Sequence, residues 1–73
     1  MKVKFERNYA NVVWDREYYI TLENDMYAGW ICRYRKNQKW NIYSSDLGIN
    51  EEDFPTLNDA KAYVRKQAEK IYG

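Results

Sequence analysis

What narrows this chain most is a change of hydrophobic period partway along it. From Tyr27 to Tyr43, in YAGWICRYRKNQKWNIY, side-chain character alternates with the period of two that strands impose. From Phe54 onward, in FPTLNDAKAYV, apolar residues return at helical spacing instead. A segment that makes this switch reads as a β-hairpin followed by a helix.

The helix start is sharply punctuated. Phe54 precedes Pro55 and is held extended by it. Thr56 suits the N-cap, with Asp59 three residues on as a shortened capping box. Leu57, Ala60, Val64, Ala68 and Ile71 then form one stripe, with Tyr63 beside them. Asn58, Asp59, Lys61, Arg65, Lys66, Glu69 and Lys70 fall mostly on the other side, so one face of the helix lies on a sheet.

Upstream, Val3 and Phe5 alternate with Lys2, Lys4 and Glu6 as in a short strand. Residues 18–22 form a β-branched and aromatic run, and residues 12–14 either extend it or stand apart. Glu23, Asn24 and Asp25 signal a turn, because Asn and Asp bond their own backbone and tolerate left-handed conformations. A strand from Tyr27 to Arg35 turns at Lys36-Asn37-Gln38 and returns through Lys39 to Tyr43. Residues 44–53, with Gly48 and the acidic run Glu51-Glu52-Asp53, read as a loop. The expected fold is α+β: a single domain over residues 1–73, with an antiparallel three- or four-stranded sheet packed against one C-terminal α-helix.

Strand parity then divides the hairpin into two faces. Ala28, Trp30, Cys32 and Tyr34, together with Trp40 and Ile42, are expected to face the core. Arg33, Arg35, Lys39, Asn41 and Tyr43 are expected to share the outer face, with Tyr19 and Tyr27 nearby. That mix can grip phosphates and base edges, and it equally suits a well-solvated sheet surface.

At 73 residues the core is thin, but 18% of the residues are aromatic, and each large ring buries roughly 150–250 Å². The net charge of +1 gives no global basic field. Charge is uneven, however: residues 24–50 set Arg33, Arg35, Lys36 and Lys39 against only Asp25 and Asp46. The local positive excess sits on the hairpin.

Enzymatic chemistry finds little to work with. The chain has no histidine, the commonest acid–base residue near neutral pH. Cys32, the only cysteine, has no histidine to activate it and reads as a packed, inert thiol. The Glu51-Glu52-Asp53 run suggests a hard-cation site but lacks the ligand spacing of a calcium loop. No enzyme activity, cofactor or metal is therefore expected. A free thiol without an apolar leader or membrane span fits a reducing cytoplasm, with no membrane partner.

The order of strand, basic turn, strand and the phrase F-x-T-x-x-x-A-x-x-Y resembles the arm-binding N-terminal domains of tyrosine-type phage integrases. It is also similar to the plant ethylene-response-factor DNA-binding domain, and more generally to small phage-type proteins with a sheet and a C-terminal helix. The resemblance spans residues 27–64 and rests on Trp30, Arg33, Arg35, Lys39 and Trp40 in the strands. Phe54, Thr56, Ala60 and Tyr63 carry it into the helix. It implies a sheet lying in the DNA major groove with the helix behind. Nucleic acid is thus the first expected partner, with Arg33, Arg35 and Lys39 on phosphates or guanine edges, Asn41 reading adenine, and Tyr19 and Tyr43 stacking. The alternative is a small protein-binding inhibitor or regulator, phage-encoded and acting on a host protein. Tyr, Trp and Arg dominate such interfaces too.

Overall fold

A computed structural model describes residues 2–73, apart from the side chains of Asn24, Glu51 and Glu52. Five strands precede the helix: β1 (Val3–Arg7), β2 (Arg16–Leu22), β3 (Met26–Arg33), β4 (Trp40–Ser44) and β5 (Ile49–Phe54). The helix α1 runs from Leu57 to Tyr72. The strands form one antiparallel meander in the order β1-β2-β3-β4-β5, so each pairs with its neighbour in sequence. This is the α+β arrangement the sequence implies, with one strand more than expected.

The additional strand is β5, which occupies most of the stretch read as a loop. Only Ser45 to Gly48 turn, closed by the Gly48 amide bonding the Ser45 carbonyl at 3.1 Å. The acidic run inside β5 hides it, since Glu and Asp are poor strand formers. An edge strand tolerates them because charge on an edge discourages further pairing. The Glu51 and Glu52 side chains, weighed above as cation ligands and set aside, lie outside the described residues. Among the described residues no carboxylate or thiol cluster could hold a metal.

Register decides which residues lie under the helix. Ile31 pairs with Tyr18 on one side and Ile42 on the other. Phe5 and Ile20 pair with each other on the same face, in the next row. Ile20, Leu22, Ile31, Ile42 and Leu47 are fully buried, with Trp40 and Ile49 nearly so. Against them α1 buries Ala60, Val64 and Ala68, small side chains that let the helix approach closely. Ile71, expected to end the stripe, is exposed, so the buried stripe stops at Ala68. The cap forms as read: the Asp59 amide donates to Thr56 Oγ1 at 3.1 Å. Gln67 Nε2 donates to the Leu47 carbonyl at 3.1 Å, tying the helix to the β4–β5 turn.

Two bulges shift the parity. Between β2 and β3, Ile20 pairs with Gly29 but Thr21 with Tyr27, leaving Ala28 as the additional residue. Gly29 takes φ 141°, and a side chain there would run into the Tyr43 carbonyl and Ser44. Between β4 and β5, Trp40 pairs with Phe54 but Ile42 with Glu51. Asp53 absorbs that irregularity at φ 70°. The second bulge is what puts both Ile49 and Phe54 against the core despite their odd spacing.

Candidate functional site

The helix covers one face of the sheet and leaves the other open. Across that open face runs the row Glu6–Tyr19–Trp30–Tyr43–Asn50, one residue from each strand. Tyr27 joins it beside Tyr19, their ring centroids 5.6 Å apart and edge to face. Trp30 and Tyr43 stand 5.8 Å apart. The Tyr43 and Tyr34 hydroxyls lie 3.4 Å from each other, and Tyr34 meets the Trp14 ring at 4.6 Å. Tyr19 keeps 36% of its surface exposed, Tyr34 41% and Tyr27 52%. A continuous aromatic patch thus faces solvent, which is uncommon for a face with no role.

This corrects the expected division of β3. Trp30 is half-buried on the open face and is not in the core with Trp40. Both faces of β3 are apolar, so alternation alone cannot choose between them; the pairing of Ile31 with Ile42 does. Cys32 is fully buried, as expected, but lies in the open-face layer between Glu17 and Asn41. Burial, with the Glu17 carboxylate adding to it, pushes its thiol up to about 11.

The same parity moves Arg33. Read as sharing a face with Asn41 and Tyr43, it lies instead on the helix side with Ile31. Its Nε and Nη2 donate to Asp15 Oδ2 at 3.1 and 2.8 Å, and its guanidinium sits 4.6 Å from the centroid of the Trp40 ring. The Asp15 amide in turn bonds the Arg33 carbonyl at 2.9 Å. With its side chain only 19% exposed, Arg33 is a clamp between the β1–β2 loop and the core.

Asn41 is also occupied. It is buried, and its Oδ1 accepts the Asp53 amide at 3.4 Å beside the β5 bulge. Arg35 and Lys39 are exposed as expected, but in the β3–β4 turn at one end of the sheet. Tyr19 and Tyr43 alone, of the six residues expected to bind, share the open face as exposed or half-exposed rings.

Glu17 lies on this face, opposite Cys32. The Tyr27 hydroxyl is shifted upward from its ordinary value by burial first, then by the nearby Glu17 charge and by Tyr19. Glu17 thus acts on both Tyr27 and Cys32. On the helix side two cations lie over rings: Lys61 is 5.4 Å from the Phe5 ring and 5.3 Å from Tyr18, and Arg65 is 5.1 Å from Phe5.

At one end of the open face lies a groove of about 400 Å³ lined by Tyr27, Trp30 and Tyr43 together with Ser45, Asp46 and Asn50. Its floor is Gly29, where any Cβ would fill space already taken by β4. Sequence reading missed Trp30, Tyr34 and Asp46 in this surface; the pairing of two isoleucines was the available signal.

Compared with protein-family models, with curated proteins and with solved structures, the chain matches none. Among the described residues no helix is long and apolar enough to cross a membrane.

Proposed function

We propose that this chain is a non-enzymatic module that binds a protein partner through the open face of its sheet, taking up a basic segment of that partner. One observation carries the reading: the uncovered face is a run of partly exposed Tyr and Trp rings in contact with one another. Rings of this kind contribute most of the affinity at protein interfaces, because they bury large area with few torsions to freeze. Carboxylates beside them, Glu17 opposite Cys32 and Asp46 at the groove, favour cationic side chains over phosphate. Of the cations expected to grip nucleic acid, Arg33 is held by Asp15, and Arg35 and Lys39 stand at the turn.

Immobilised protein exposed to nuclease-treated cell lysate tests this. A discrete protein should be retained by the wild type and by the Arg35→Ala, Lys39→Ala double variant. Tyr19→Ala and Tyr27→Ala should lose it while melting at the wild-type temperature. Dependence of the capture on intact nucleic acid, or its loss in the double variant, would assign the module to nucleic acid instead.

A further inference from the structure

The helix side of the sheet contains a complete site for a guanidinium. Trp40 supplies a ring face, Asp15 supplies a carboxylate oxygen at 2.8 Å, and Arg33 fills the space between them, 4.6 Å from the ring centroid. The same set of groups recurs on the open side without an arginine. There Trp30 and Asp46 line one groove, with the Tyr27 and Tyr43 rings around them. Among the described residues no lysine or arginine lies over Trp30, whose ring meets Tyr43. We propose that this groove seats an arginine side chain of the partner, its guanidinium on the Trp30 face and its charge toward Asp46. The assignment rests on the open face being a protein-binding surface and names what that surface recognises.

The chemistry favours arginine over other occupants. A planar guanidinium stacks on an indole and still turns its N–H edge to a carboxylate, whereas an ammonium offers only a point charge. The groove lining combines aromatic rings with the oxygen-bearing groups of Ser45, Asp46 and Asn50. Phosphate would meet an aspartate in that position and no cation among the groove residues. The groove has a fixed shape, because Gly29 brings β3 against β4 and Ser44 Oγ donates to the Ala28 carbonyl beneath it.

The probe is N-acetyl-arginine amide, titrated into the wild-type protein while the indole and backbone amide signals are followed by NMR. N-acetyl-citrulline amide, nearly the same shape without the charge, and N-acetyl-lysine amide are run beside it. Arginine amide should shift the Trp30 indole and the Gly29, Asp46 and Asn50 amides saturably in the millimolar range, as one anchored side chain should. It should leave the Trp40 indole unmoved. Citrulline amide should give no saturable shift, and lysine amide a weaker one. Asp46→Asn, in an exposed turn, should weaken the arginine response about five- to ten-fold, the loss of one charge contact. Trp30→Leu should abolish it in a protein whose remaining amide spectrum shows it folded. Equal shifts from arginine and citrulline amide, or a response indifferent to Asp46→Asn, would overturn the assignment. If arginine amide leaves the groove unmoved while Tyr19→Ala still abolishes partner capture, the groove assignment falls and the protein-binding face stands. If capture fails as well, both fall.

Discussion

Trp30 and Trp40 carry the same side chain to opposite ends of the account. Trp40 is 4% exposed, packed 6.0 Å from Tyr18 and roofed by Arg33. Trp40→Ala should cost about 3–5 kcal/mol, the range for emptying a core position of a large ring. Trp30 is half-buried with one side to solvent, so Trp30→Ala should cost only about 1–2 kcal/mol on the area it covers. Urea denaturation of the two variants settles the order, and equal losses would return Trp30 to the core. Cys32 adds a pH dependence. Its thiol in the folded chain holds its proton up to about pH 11, against an ordinary value of 9.0. As pH rises through that window the unfolded chain releases its proton first, so stability is fully present below the ordinary value and is lost on the alkaline side. At two pH units the loss is at most about 2–3 kcal/mol. Cys32→Ala should flatten this slope in urea midpoints measured from neutral to alkaline pH; parallel slopes would show that the thiol does not contribute.

Among the elements, α1 has the clearest sequence signals and β5 the weakest. Thr56→Ala removes the oxygen that accepts the Asp59 amide and should lower stability by about 1 kcal/mol, whereas Asn58→Ala, one residue inside the exposed first turn, should be nearly neutral. Thermal melts of the pair check this, and a reversed order would relocate the helix start. The helix was legible because cap, period and dipole agree on the same residues. The strands β1 to β4 were legible in existence for a similar reason: each carries an alternating or β-branched core. The faces of β3 were not, since Trp30 and Cys32 are as apolar as Ile31, and only the pairing with Ile42 separates them. The bulges at Ala28 and Asp53 were not legible either. Each inserts one residue that resets the parity downstream, and neither leaves a local mark beyond Gly29 and an Asp that tolerates positive φ. The candidate site suffered most from this. Placing Arg33 outward required the β3 parity that the register overturns, whereas Asn41 keeps the face it was read on but is buried there, and Tyr19 and Tyr43 kept their places because their own strands were read correctly.

At the scale of the whole molecule, one helix cannot cover two faces of a five-stranded sheet. It covers the isoleucine face and leaves the tyrosine and tryptophan face to solvent. Sheet edges are otherwise managed: β1 alternates Lys4 and Glu6 along its length, Lys4 pairs with Asp25 at 3.6 Å, and β5 carries the acidic run in its sequence. Charge guards the edges while the open face keeps its rings, so that face is the surface best suited to a partner. Arg33, Lys61 and Arg65 are engaged on the helix side, and Glu17 lies on the open side opposite Cys32.

The most direct test sets the two kinds of partner against each other. Mixed-sequence duplex and single-stranded nucleic acid, and separately a short peptide of alternating arginine and glycine, are titrated into the protein at low salt while Trp30 is observed by NMR. The account predicts that the peptide saturates the Trp30 signal and that Trp30→Leu abolishes the effect. Nucleic acid should then show no binding at tens of micromolar. Contradiction would be nucleic-acid binding in that range which loses about one unit of log–log salt slope for each of Arg35 and Lys39 replaced by alanine, with the peptide leaving Trp30 unmoved.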